Sequence, residues 1–239
     1  MISDDTLINL RTRYQTTDIN IRREYVQHLF LSYFYQRPQA SQIYFKGGTA
    51  LRIIHKSPRF SEDLDFGSTL HDVDEIEKAV LDTLIAIHRE GIETEIIEST
   101  KTSGGYLALI DFMLGSLTIR LRIEASFREK ELVGEVETVL SDFVPPYTIN
   151  GLSQEQLVEG KLAALMDRKK PRDFYDLYFM LQKDMILPQQ KNVLRESLEI
   201  VTKTNINFRQ ELEQFLPQSH WQVIKDFRAV LERTIKKFL

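Results

Sequence analysis

The order of hydrophobic periods along the chain predicts an α+β fold, a mixed sheet carrying helices followed by a helical half. Three observations carry it. Strand-like apolar segments with a period of two occur only before residue 150, an amphipathic segment of helical period precedes them, and everything after Asn150-Gly151 keeps a helical period. The 239 residues, 42% hydrophobic and 28% charged, suffice for one large core or two small domains sharing an interface.

Ile21, Tyr25, Val26, Leu29, Phe30, Tyr33 and Phe34 recur at three and four residues, which predicts a core-facing helix from Ile21 to Tyr35 that ends before Pro38. Ile43-Tyr44-Phe45 is a short strand running into Gly47-Gly48, and Thr49 to about His55 is the helix that follows. Leu64-Asp65-Phe66 is the next strand. From Asp72 to Arg89, Val73, Ile76, Val80, Leu84 and Ile87 mark a second amphipathic helix. Thr94 to Ile97, Tyr106 to Met113 and Leu117 to Phe127 read as antiparallel strands, the last two joined at Leu114-Gly115-Ser116. Pro145-Pro146 and Asn150-Gly151 divide the chain into residues 1–150 and 151–239. Ser153 with Gln156 resembles a capping box opening a helix to Asp167, and Pro171 starts another through Leu181.

Composition excludes several classes. Without cysteine there are no disulfides and no Cys-bound zinc, which fits a reducing cytoplasm, and the five histidines lack metal-ligand spacing. The first twenty residues lack the apolar core of a signal peptide, and no later run is long enough to span a membrane. A net charge of −4 argues against constant nucleic-acid coating, although basic clusters stand at Arg52 to Arg59, at Arg120 and Arg122, and at Arg168 to Arg172.

The chemistry centres on Phe45-Lys46-Gly47-Gly48-Thr49-Ala50-Leu51-Arg52 and Arg59-Phe60-Ser61-Glu62-Asp63-Leu64-Asp65-Phe66. A glycine turn opening a helix presents backbone N–H groups to anionic oxygens, and two carboxylates two apart on a strand share a face that can hold a divalent ion. Each is common alone. Together they describe a site for a metal-bound nucleoside triphosphate, because nucleotidyl transfer needs phosphate and metal side by side. The glycines lack the spacing and trailing Lys-Ser/Thr of a P-loop. Thr118 to Glu124 alternates strictly, placing Arg120, Arg122 and Glu124 on one polar face. Beside the Asp63/Asp65 strand, Glu124 is a third candidate metal carboxylate; the arginines read equally well as phosphate contacts or as cross-strand ion pairs. In the helical half, Lys161 and Arg168 share a helix face, Asp173 suits a helix's first turn and Asp176 can pair with Arg172, all explicable structurally.

These two segments, with Lys161-Leu162-Ala163-Ala164-Leu165 and Arg168, then Arg172-Asp173-Phe174-Tyr175-Asp176-Leu177, resemble the four ordered motifs of the AbiEii family. That family, the toxins of type IV toxin–antitoxin systems, is a branch of the DNA polymerase β-like nucleotidyltransferases. The resemblance spans Phe45 to Tyr178. It implies a polymerase β-like core followed by a helical bundle with a cleft between, triphosphate binding at Gly47, Gly48 and Thr49 with Lys46, Arg52 and Ser61 beside it, and metal at Asp63 and Asp65. It implies catalytic roles for Asp63, Asp65, Lys161 and either Asp173 or Asp176. Glu124 stands where relatives often place a third strand carboxylate, usually aspartate.

The expected reaction is Mg²⁺-dependent transfer of an NMP from an NTP to an acceptor hydroxyl, with one or two ions held by Asp63, Asp65 and Glu124. Many family members are toxins and some act on tRNA 3′ ends, so the expected partners are NTP, an RNA acceptor and a cognate antitoxin, without membrane. The alternatives are a small-molecule nucleotidyltransferase of the aminoglycoside-modifying type, which the basic run Lys169-Lys170-Pro171-Arg172 opposes, and a non-catalytic partner-binding module, which intact motifs oppose.

Overall fold

Side-chain caps start the first two helices. The Ser3 hydroxyl accepts from the Thr6 N–H (3.2 Å) to open α1 (Asp4–Tyr14), and Thr17 accepts from Asn20 (3.3 Å) to open α2 (Asp18–Phe34). The computed structural model describes residues 2–129, 131–203 and 206–239. They form two units, one comprising the chain up to Lys56 with Phe60–Leu152, the other Ser57–Arg59 with Ser153–Leu239.

In the first unit β1 (Ile43–Lys46), α3 (Gly47–Ile53), β2 (Leu64–Ser68) and α4 (Val73–Arg89) precede a run of strands: β3 (Glu93–Thr102), β4 (Gly105–Leu114), β5 (Leu117–Ser126), β6 (Gly134–Val139) and β7 (Tyr147–Leu152). They make one seven-stranded mixed sheet in the order β3-β4-β5-β2-β1-β7-β6. β2 runs antiparallel to β1 and parallel to β5, and β1 runs parallel to β7. One face of the sheet is apolar. Ile43, Phe45, Phe66, Ile110, Phe112, Leu121 and Ile123 are buried with Ile21, Phe30 and Phe34 of α2 and Ile76, Ala79 and Ile87 of α4. A chain of rings, Phe30 to Phe34 to Phe66 to Phe45, has centroids 5.4–5.5 Å apart. The other face carries Lys46, Asp65, Arg120, Arg122 and Glu124.

Two strands were not legible beforehand. β6 is a sheet edge whose Val136 is 79% exposed, so it lacks inward alternation. Asn150-Gly151, read as punctuation, lies inside β7. Glycine eases the packing there, since a Cβ on Gly151 would come within 2.9 Å of Ile54 Cδ1 and the Ile54 side chain would have to shift.

In the second unit Ser153 caps α5 (Gln154–Arg168), and Pro171 is the first residue of α6 (Pro171–Gln182). α7 (Asn192–Lys203), α8 (Phe208–Leu212), α9 (Trp221–Lys225) and α10 (Phe227–Lys236) complete it. Phe174 of α6 meets Phe208 at 5.4 Å, Tyr175 meets Phe227 at 5.8 Å, and Phe208 and Phe227 are 5.1 Å apart, forming its aromatic centre. No described helix is long and apolar enough to cross a membrane.

Candidate active site

Strand register assembles the acidic site. Lys46 lies opposite Asp65 in the β1–β2 pair, and Asp65 lies opposite Glu124 in the β2–β5 pair, so all three residues share the polar face of adjacent strands. Gly47 follows at φ +83°, in the left-handed region, and a Cβ there would fall on the Asp65 carboxylate. The glycine therefore does two things: it turns the strand into α3, and it leaves room for the carboxylate against the backbone. Lys46 takes the N-cap position of α3 without a side-chain cap.

Asp63 is placed differently from the expected strand pair. β2 begins at Leu64, so Asp63 stands in the preceding loop, where its backbone carbonyl accepts a hydrogen bond from the Thr49 hydroxyl. Thr49 thus ties α3 to the loop instead of capping the helix. Ser61 also engages through its backbone, its carbonyl accepting from Gln27 Nε2 at 3.0 Å. Gly48 is buried within α3.

The cations near this face are occupied. Lys46 pairs with Glu129; burial pushes that carboxyl up, but Lys46, together with hydrogen bonds from Ser126 and the backbone, holds it below its usual value. Arg52 grips Glu24 through two hydrogen bonds of 3.0 and 3.1 Å and stacks 3.9 Å over Phe60, turned toward α2. Burial pushes Glu24 upward against the pull of Arg52. Arg120 holds Asp111 across β4–β5 with two bonds of 2.7 Å, and Arg122 meets Glu124 at 2.8 Å. The sheet arginines are therefore ion pairs.

The donor set is hard oxygen, which suits Mg²⁺. Asp65 and Glu124 stand side by side, yet among the described residues no three His, Cys, Asp or Glu side chains converge tightly enough to hold a metal by themselves. Such a face fits an ion that completes its shell with phosphate oxygens and water.

The helical unit has a second cluster. Asp176, 1% exposed, accepts from Lys161 Nζ at 2.7 Å and from the Arg59 guanidinium at 2.9 and 3.0 Å. Burial alone would raise this carboxyl, but Arg59 and then Lys161 hold it below its usual value. Arg59, read in the sequence as part of a basic cluster, is buried. Asp173 bonds the Lys170 N–H at 3.1 Å and Arg168 at 2.7 Å, so it fastens the start of α6. The Arg59–Asp176 pair was missed because 117 residues separate the partners and Arg172 offered a nearer one. Arg172 meets Glu211 at 3.3 Å.

Comparison with known proteins identifies the family. The sequence profile of the nucleotidyl transferase AbiEii toxin family, type IV toxin–antitoxin system, matches residues 29–237. The chain belongs to the AbiEii family. It is an NTP-dependent nucleotidyltransferase of a toxin–antitoxin family. MenT4, a nucleotidyltransferase toxin from Mycobacterium tuberculosis H37Rv, superposes with a TM-score of 0.67 at 17% identity, covering 98% of this chain and 94% of MenT4. JHP933 from Helicobacter pylori gives 0.63 at 18%, covering 93% and 95%. A nucleotidyltransferase from H. pylori gives 0.63 at 18%, covering 93% and 99%. These structures share the fold. No curated protein matches the sequence.

Two outcomes follow for an AbiEii enzyme built this way. Asp176→Asn leaves two buried cations facing a neutral amide and is expected to destabilise the protein by about 3–5 kcal/mol, read from the denaturant midpoint. Because the folded carboxyl lies below its unfolded value, the wild-type advantage is present at neutral pH and disappears as pH falls through the folded pKa. Gly47→Ala is expected to reduce nucleotidyl transfer about a hundredfold with an unchanged far-UV circular dichroism spectrum, since it displaces Asp65 by a fraction of its own length.

Proposed function

We propose that this chain transfers an NMP from a Mg²⁺-bound NTP to the 3′-terminal hydroxyl of an RNA, tRNA being the acceptor class, as the toxin of a pair with a cognate antitoxin. The observation that carries the reading is the strand register that sets Asp65 beside Glu124, next to the Lys46-Gly47 turn.

Gly47, Gly48 and Thr49 receive the β- and γ-phosphates, with Lys46 leaving Glu129 to meet them. Asp63, Asp65 and Glu124 are the residues that would hold one or two Mg²⁺. When bound, Mg²⁺ lowers the barrier by neutralising charge on the phosphates and on the departing pyrophosphate. The acceptor oxygen forms a bond to the α-phosphorus as the α–β anhydride bond breaks, and its proton passes to solvent. Lys161 donates to phosphate oxygens of the reactants, and Asp176 orients it. An RNA acceptor is supported by the charge distribution. Asp and Glu outnumber Lys and Arg over residues 1–152, whereas Lys and Arg outnumber Asp and Glu over residues 153–239. With Arg52, Arg59 and Arg168 in ion pairs, the exposed Lys169 and Lys170 at the α5–α6 turn are the residues to meet an RNA backbone.

Incubation with each α-labelled NTP, Mg²⁺ and total tRNA is expected to label the tRNA, and Asp63→Ala/Asp65→Ala is expected to abolish labelling. Transfer by the double variant would overturn the metal assignment; transfer to an aminoglycoside with tRNA unlabelled would overturn the acceptor. Because the triphosphate must take Lys46 from Glu129, Glu129→Gln is expected to tighten NTP binding about threefold to tenfold by calorimetry. Weaker binding by that variant would give Glu129 a supporting role instead.

A further inference from the structure

The loop that carries Asp63 has no strand partner of its own, yet four consecutive residues in it are fastened. Phe60 lies under the Arg52 guanidinium at 3.9 Å. The Ser61 carbonyl accepts from Gln27 at 3.0 Å, Glu62 meets Arg23 at 3.5 Å, and the Asp63 carbonyl accepts from Thr49. Arg52 is held in turn by Glu24. Arg23, Glu24 and Gln27 occupy one turn of α2, a helix outside all four motifs. Gln27 is 1% exposed, and its buried amide is satisfied by a carbonyl of that loop, so the helix core and the loop path are tied together.

We infer that Gln27 is a positioning residue for nucleotidyl transfer, with Glu24 acting beside it through Arg52, so that α2 sets the path of the loop that presents Asp63. The inference rests on the assignment of Asp63 to metal-bound nucleotide. Gln27 touches no reactant. It fixes the Ser61 peptide two residues before Asp63, while Thr49 fixes the Asp63 peptide from α3, so the carboxylate emerges from a segment clamped from two helices. Removing the amide releases one clamp and leaves the Ser61 carbonyl without its partner.

The test compares Gln27→Met, which keeps volume and removes the donor, with Asp63→Ala and with Ser32→Ala, a change on α2 whose hydroxyl bonds the Leu29 carbonyl at 2.8 Å. Binding of Mg²⁺ in the presence of a non-hydrolysable NTP is measured by calorimetry beside steady-state kinetics. For Gln27→Met the Mg²⁺ concentration at half-saturation is expected to rise about tenfold and kcat to fall, with the KM for NTP at saturating Mg²⁺ within about twofold of wild type and the melting temperature lowered by only about 2–8 °C, so that the assays are run on folded protein. Ser32→Ala is expected to match wild type. A wild-type Mg²⁺ dependence in Gln27→Met while Asp63→Ala loses Mg²⁺ binding would overturn the positioning role alone. Wild-type Mg²⁺ binding by Asp63→Ala would overturn the underlying assignment. If Gln27→Met does not fold, Gln27→Asn, which keeps the amide but shortens its reach to the Ser61 carbonyl, decides the same question by the same readouts.

Discussion

The approach of the Gly47 backbone to the Asp65 carboxylate is the constraint on which the rest of the site depends. It follows from strand pairing. β1 and β2 run antiparallel with Lys46 opposite Asp65, so the residue after Lys46 must turn away across the carboxylate's side of the sheet. Only a residue without a Cβ, at a positive φ, makes that turn without striking the oxygen. The parallel β2–β5 pair then extends the same row to Glu124. One row across three strands thus runs lysine, aspartate, glutamate, and the register that builds the core on the opposite face aligns it at no additional cost. A one-residue slip in any of these strands would send the row into the apolar layer with Phe45, Phe66 and Ile123.

Helices outside the motifs convert that row into a defined site. α2 meets the sheet through Ile21, Phe30 and Phe34, and through Arg23, Glu24 and Gln27 it reaches α3 and the loop before β2. The helix is thereby anchored in the core and used as a reference for a segment that lies outside the strands. Buried polar contacts of this kind contribute modestly to net stability, but leaving one partner unsatisfied is costly, so they select one loop path over others.

Much of this was legible in the sequence, for reasons that differ by element. α2, α4 and the β4–β5 hairpin carry strong periods, and a period is a direct imprint of a half-buried element. Asp65 beside Glu124 was readable as a condition, since alternation put Glu124 on a polar face and only adjacency remained to be established. β6 was not legible because an exposed edge needs no apolar face, and β7 was obscured by Asn150-Gly151, whose composition matches a turn while its glycine serves packing. The engagements of Arg52 and Arg59 were invisible for another reason. A cluster of cations reads alike whether it faces solvent or a buried carboxylate, and the partners Glu24 and Asp176 lie 28 and 117 residues away.

The Asp176 cluster shows why the two motif aspartates of α6 differ in kind. Asp173 sits in the first turn, where a carboxylate bonding a free backbone N–H stabilises any helix, and its second partner Arg168 is half exposed. Both of its oxygens are engaged by these partners. Asp176 lies one turn further in, fully enclosed, with Arg59 and Lys161 on its two oxygens. Apolar side chains would stabilise such a position at least as well as buried charges do. What an apolar residue cannot do is hold an ammonium group with protons to spare. Lys161 donates one of its three N–H groups to Asp176 at 2.7 Å, which fixes the orientation of a side chain that is 10% exposed. Such a tether fixes the direction of the ammonium group, which is the property that the proposed contact with phosphate oxygens requires.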